Sequence, residues 1–61
     1  MAFSLKEVRE KAGVTQEQLA EKIGVTRQSV GSYENGIVRP SVDVAKAIGE
    51  ALNFDWTLLY E

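Results

Sequence analysis

The sequence predicts an all-α fold of about five short helices, and three observations predict it. Residues suited to helix N-caps recur at Ser4, Thr15, Thr26, Ser41 and Asp55. Between them the apolar residues repeat at helical spacing. Nowhere do apolar and polar residues alternate over enough positions to make a strand.

The first helix starts at Ser4, where Glu7 follows at capping-box distance and Phe3 and Val8 stand at hydrophobic-staple positions. Leu5, Val8 and Ala12 recur on one face, and Gly13 supplies the residue that commonly ends a helix in the left-handed conformation. Thr15 and Gln18 repeat the capping-box pattern, with Val14 and Leu19 as staple. Leu19, Ala20 and Ile23 form the second apolar stripe, which Gly24 closes. Thr26 caps a third helix with Val25 and Val30 as its staple, and Asn35-Gly36 ends it with a pair suited to positive φ. Only Val30 and Tyr33 of this helix look core-bound, which turns Arg27, Gln28, Gly31 and Ser32 outward.

Pro40 biases Arg39 toward extended backbone and separates the elements. Ser41 then caps a fourth helix that presents Ala45, Ile48, Gly49 and Leu52 on one face, with Asp43 at the positive end of the dipole. Asn53 ends it. Asp55 caps a last short turn carrying Trp56, Leu58 and Tyr60, with Phe54 and Leu59 as staple.

Composition narrows the function. Sixty-one residues have room for one domain over 1–61, and a domain this small hides only about 60% of the surface its unfolded chain exposes. The absence of cysteine and histidine removes disulfides, thiolate metal sites and the commonest general bases. No phosphate loop or paired-carboxylate motif stands out, so no enzyme, no cofactor and no metal site are expected. No apolar run approaches a membrane span and the N-terminus has no signal-peptide pattern, so a cytoplasmic protein is expected, with neither a membrane nor a small-molecule partner.

The net charge of −2 is unevenly spread. Lys22, Arg27, Arg39 and Lys46 outweigh Glu34 and Asp43 across 22–46, a local +2, whereas Glu50, Asp55 and Glu61 leave the end acidic, a local −3. An acidic total counts against nucleic-acid binding; the basic middle counts for it.

The second and third helices, joined through Gly24-Val25-Thr26, form a helix-turn-helix unit. A short turn containing glycine lets two helices meet steeply, and Ala20 is small enough for their backbones to cross closely. The run from Val14 to Val30, followed by Tyr33-Glu34-Asn35-Gly36 and Arg39-Pro40-Ser41, resembles the Cro/repressor-type helix-turn-helix regulators of phages and bacteria, the xenobiotic-response-element family. The resemblance extends over nearly the whole chain.

That resemblance implies a compact five-helix, lambda-repressor-like domain that binds a double-stranded DNA operator as a homodimer, with its third helix in the major groove. It places Arg27, Gln28 and Ser32 at base-reading positions, and Arg suits guanine as Gln suits adenine. Gln16, Asn35 and Arg39 match positions that contact phosphate, Gln16 also bracing the reading helix. Arg9 and Glu34 match a partly buried ion pair. Trp56, Leu58 and Tyr60 fit either a cap on the bottom of the core or the dimer surface that the family builds on its last helix, or both at once, since a chain this short cannot hide all three. Gly31 departs from the long polar residues of many relatives. A repressor is expected over an activator by family frequency. A protein-interaction module on the same fold, antitoxin-like or anti-repressor, is the alternative, because fold does not fix function.

Overall fold

A computed structural model of the chain describes residues 3–60. It contains four α-helices, α1 (Leu5–Lys11), α2 (Gln16–Ile23), α3 (Arg27–Glu34) and α4 (Val42–Leu52), followed by a 3₁₀ turn over Trp56–Tyr60. No strand occurs among the described residues. The expected fifth helix is therefore corrected to a single tight element. Asp55 explains why the chain turns there: its Oδ1 accepts from the Thr57 amide at 3.0 Å and the Thr57 hydroxyl at 2.7 Å, and its carbonyl accepts from the Leu58 amide at 3.1 Å. Bonds of this short reach wind a tighter turn than an α-helix does, and such turns are used in short pieces.

The caps form where short-range chemistry places them. Ser4, Thr15, Thr26 and Ser41 each accept from the amide three residues on, at 3.0–3.3 Å, which satisfies donors that a helix start leaves open. At Thr15 the box is complete, because Gln18 Oε1 also accepts from the Thr15 amide at 2.9 Å. At Ser4 only the hydroxyl half forms. Gly24 takes φ +75° and ends α2, its amide bonded to the Ala20 carbonyl at 2.9 Å. Of the pair expected to end α3 with positive φ, only Gly36 has it; Asn35 stays right-handed at −88°. Asn53 closes α4 in the left-handed region at φ 59°.

Leu5, Leu19, Ala20, Val30, Ile48 and Leu52 make the buried cluster, so every α-helix contributes to one core. The staple residues Phe3, Val8, Val14, Val25, Phe54 and Leu59 pack against it, and Phe3 stacks on Phe54 with ring centroids 5.3 Å apart. The start of the described region and the segment that follows α4 thus close one side of the core. Burying an aliphatic side chain of this size contributes about 1.5–3 kcal/mol, which makes Leu19, Val30 and Ile48, all fully buried, the largest individual terms. On α1 the expected inner face is wrong at one position. Ala12 is exposed at the helix end, while Arg9, expected in a partly buried ion pair, is buried.

Candidate nucleic-acid interface

Arg27 and Gln28 occupy the first turn of α3, and both are exposed. Thr26 fixes where that turn begins, its Oγ1 taking the Ser29 amide at 3.1 Å and lying 2.9 Å from the Ser29 hydroxyl. The opposite side of α3 is anchored by Val30, which has no exposed surface. One face of the helix is therefore buried while the polar ends of Arg27 and Gln28 are left without partners among the described residues. A side chain able to donate two parallel hydrogen bonds stands beside one able to donate and accept.

A shallow depression of about 450 Å³ runs along this face, lined by Gln16, Arg27, Gln28, Gly31, Ser32, Asn35 and Ile37. It brings together every base-reading and phosphate-contacting candidate except Arg39. Ser32 is half-buried, and its carbonyl accepts from the Ile37 amide at 3.0 Å and the Val38 amide at 3.4 Å, which pins the loop after α3 against the helix. Asn35 is exposed at the helix end. Arg39 lies farther along that loop, exposed, with its guanidinium carbon 5.4 Å from the centre of the Tyr60 ring.

Behind α3 is a polar network of three side chains and one backbone carbonyl. Arg9 Nε donates to Glu34 Oε2 at 2.5 Å, and Arg9 Nη1 donates to the Val14 carbonyl at 2.8 Å. Gln16 Nε2 donates to Glu34 Oε1 at 2.9 Å. The carboxylate at the end of α3 is thus shared between α1 and the first residue of α2. Gln16 also reaches the depression, so a single side chain both supports α3 and borders the surface it offers.

Trp56, Leu58 and Tyr60, the candidate dimer residues, are all half-buried. Trp56 and Tyr60 meet edge to face at 6.0 Å, and Lys46 Nζ lies 5.6 Å from the Trp56 ring centre. The acidic end of the chain is represented by Glu50 and Asp55, both exposed; Glu61 lies outside the described residues. Ile37, which the sequence does not single out, is 74% exposed at the edge of this depression. An apolar pair, Ile37-Val38, inside an otherwise polar connector was the available signal.

The sequence pattern of the helix-turn-helix family matches residues 5–59. This chain belongs to that family, in its xenobiotic-response-element branch. The helix-turn-helix chain is 46% identical over 57 residues to the uncharacterised HTH-type transcriptional regulator YqaF of Bacillus subtilis, covering 93% of this chain and 75% of that protein. It is 46% identical over 52 residues to an uncharacterised HTH-type transcriptional regulator of Methanothermobacter thermautotrophicus, covering 85% and 75%. A second Bacillus subtilis protein, the uncharacterised HTH-type transcriptional regulator YgzD, is 42% identical over 53 residues, covering 87% and 80%. No solved structure matches. Membership of a family of transcriptional regulators implies a DNA-binding regulator. Among the described residues no helix is long and apolar enough to cross a membrane.

Proposed function

We propose that this chain is a sequence-specific transcriptional repressor, acting in the cytoplasm, that binds a roughly palindromic operator as a homodimer with α3 in the major groove. The observation that carries the reading is the exposed Arg27-Gln28 pair on the first turn of a helix whose opposite face is buried and whose far end is tied to α1 and α2. Arg27 forks onto guanine and Gln28 onto adenine, and each good bidentate pair discriminates by about 1–3 kcal/mol. Ser32 adds a single short-range contact. Gln16, Asn35 and Arg39 set the register on phosphates without reading sequence. Trp56, Leu58 and Tyr60 join two copies so that their reading helices lie about 34 Å apart, one turn of DNA.

Selection of binding sites from a random DNA pool tests this, run with the wild type and an Arg27→Ala/Gln28→Ala variant. A palindromic consensus with half-sites one turn apart, lost or relaxed in the variant, is the expected result. Failure to enrich any sequence at low salt would overturn the DNA-reading assignment and move the protein face of α3 to a protein partner.

A further inference from the structure

Tyr60 makes two contacts with one dipeptide. Its hydroxyl donates to the Pro40 carbonyl at 2.7 Å, and its ring lies under the Arg39 guanidinium at 5.4 Å. Pro40 is buried and Arg39 is exposed, so the hydroxyl fixes the backbone at a buried point while the ring faces a cation that solvent still reaches. The two contacts are chemically independent. A hydrogen bond to the backbone sets where the Arg39 stem leaves the chain, and the negative face of the ring limits where its charge travels. Trp56 meets the Tyr60 ring edge to face, and Trp56 itself is seated over Gly49 of α4. The chain from α4 through Trp56 and Tyr60 to Arg39 is thus continuous.

We infer that Tyr60 is a positioning residue for DNA binding: it holds Arg39 ordered at the edge of the interface, ready for a phosphate. The inference rests on the proposed function, in which Arg39 contacts the DNA backbone. Ordering one long side chain on binding costs affinity, and an arginine already held by a ring and a fixed backbone avoids most of that cost. The last turn of the chain therefore contributes to affinity through a residue 21 positions earlier rather than by touching DNA itself.

The experiment is a double-mutant cycle on the operator recovered by site selection, using wild type, Arg39→Ala, Tyr60→Leu and the double variant, each with its salt dependence. Arg39→Ala is expected to flatten the slope of log K against log salt by about 0.9 for each protomer bound, one phosphate contact. Tyr60→Leu is expected to weaken binding about two- to tenfold per protomer while Arg39 is present, the range for ordering one such side chain. In the Arg39→Ala background Tyr60→Leu is expected to weaken binding clearly less than it does with Arg39 present, the remainder being the part Tyr60 plays in joining two copies. Equal weakening in both backgrounds overturns the inference, because loss of dimerisation or of packing acts whether or not Arg39 is there. An unchanged salt slope in Arg39→Ala removes the phosphate contact and the positioning role with it, yet leaves the operator and the Arg27-Gln28 reading intact. Should Tyr60→Leu fail to fold, Tyr60→Phe keeps the ring and loses only the Pro40 bond; it is expected to weaken binding by less, and only with Arg39 present, and equal weakening in both backgrounds overturns the inference here too.

Discussion

Arg9 of α1 and Glu34 of α3 form an ion pair whose side chains are only 10% and 3% exposed, and the second carboxylate oxygen is taken by Gln16 at 2.9 Å. Few charges are so buried in a chain of this length, and the arrangement sets up an asymmetry. A buried pair contributes little over an apolar replacement, but removing one partner strands the other away from water at a cost of about 3–5 kcal/mol. Glu34→Ala is expected to lose that much, a large share of the roughly 3–9 kcal/mol that a domain of this size has in total. The double variant Arg9→Met/Glu34→Leu is expected to be more stable than Glu34→Ala. Gln16→Ala, which removes one neutral donor, should cost only about 1 kcal/mol. Urea unfolding of the three variants gives the order, and a double variant less stable than Glu34→Ala would contradict it.

What the sequence made legible here follows from reach. Ser4, Thr15, Thr26 and Ser41 cap helices by bonding three residues ahead, and such pairs are visible as spacing. Ala45, Ile48, Gly49 and Leu52 form the buried face of α4 because they share one side of a 3.6-residue helix. The Gln16 to Glu34 bond spans 18 residues, and the Tyr60 to Pro40 bond spans 20. Neither has a local signature, since both ends are polar groups that solvent would satisfy as well. Arg9 shows the same limit from the other side: its helical spacing says nothing of burial, and only the resemblance pairs it with Glu34, because the carboxylate that makes it tolerable inside comes from another helix. Cap and staple residues mark where the final turn begins but not how tightly it winds, so a fifth helix and a 3₁₀ turn look alike in the sequence.

Asp55 gives the one pH-dependent expectation. The Thr57 hydroxyl and then the Thr57 amide donate to its carboxylate and hold its pKa below the ordinary aspartate value, against a small opposing effect of desolvation. With the folded pKa depressed, the contribution to stability is present above the unfolded pKa and is lost as pH falls through the folded one. Its effect on overall stability is small, because the group is fully in solvent. Thr57→Val removes the larger cause and leaves the amide, so the Asp55 pKa is expected to rise partway toward its ordinary value. Carboxyl-carbon NMR titration of both proteins reads this directly, and identical curves would show that the hydroxyl does not matter.

Gly49 and Gly31 lie inside helices, and the same substitution is expected to act on them with opposite signs. A Cβ added at Gly49 would stand 2.9 Å from the Phe54 carbonyl oxygen and 2.9 Å from Trp56 Cβ. A backbone carbonyl cannot swing aside as a side-chain tip can. Overpacking of this kind costs about 1–3 kcal/mol, more than the gain of about 1 kcal/mol that alanine brings to a helix interior. Gly49→Ala should therefore be destabilised on balance, and the fluorescence of Trp56, the single tryptophan, should change as the last turn is pushed away. An unshifted spectrum together with raised stability would mean the last turn does not rest on Gly49.

At Gly31 the nearest atom to an added Cβ is Gln16 Nε2 at 3.9 Å, an ordinary contact distance. Nothing within the chain calls for glycine there, and its backbone is that of a regular helix. Gly31→Ala is thus expected to stabilise the fold by about 1 kcal/mol, measured by thermal or urea unfolding. A residue that weakens its own helix without serving the fold points to a requirement outside it, and such breaks of local consistency concentrate at functional sites. Gly31 borders the same depression as Arg27, Gln28 and Ser32, and in the proposed complex a methyl group there would stand between α3 and the floor of the DNA groove. The same variant is accordingly expected to bind the operator more weakly while being more stable, a pairing that loss of folding cannot produce. Raised stability with unaltered affinity would place the DNA farther from this part of α3 and leave the reading to Arg27 and Gln28.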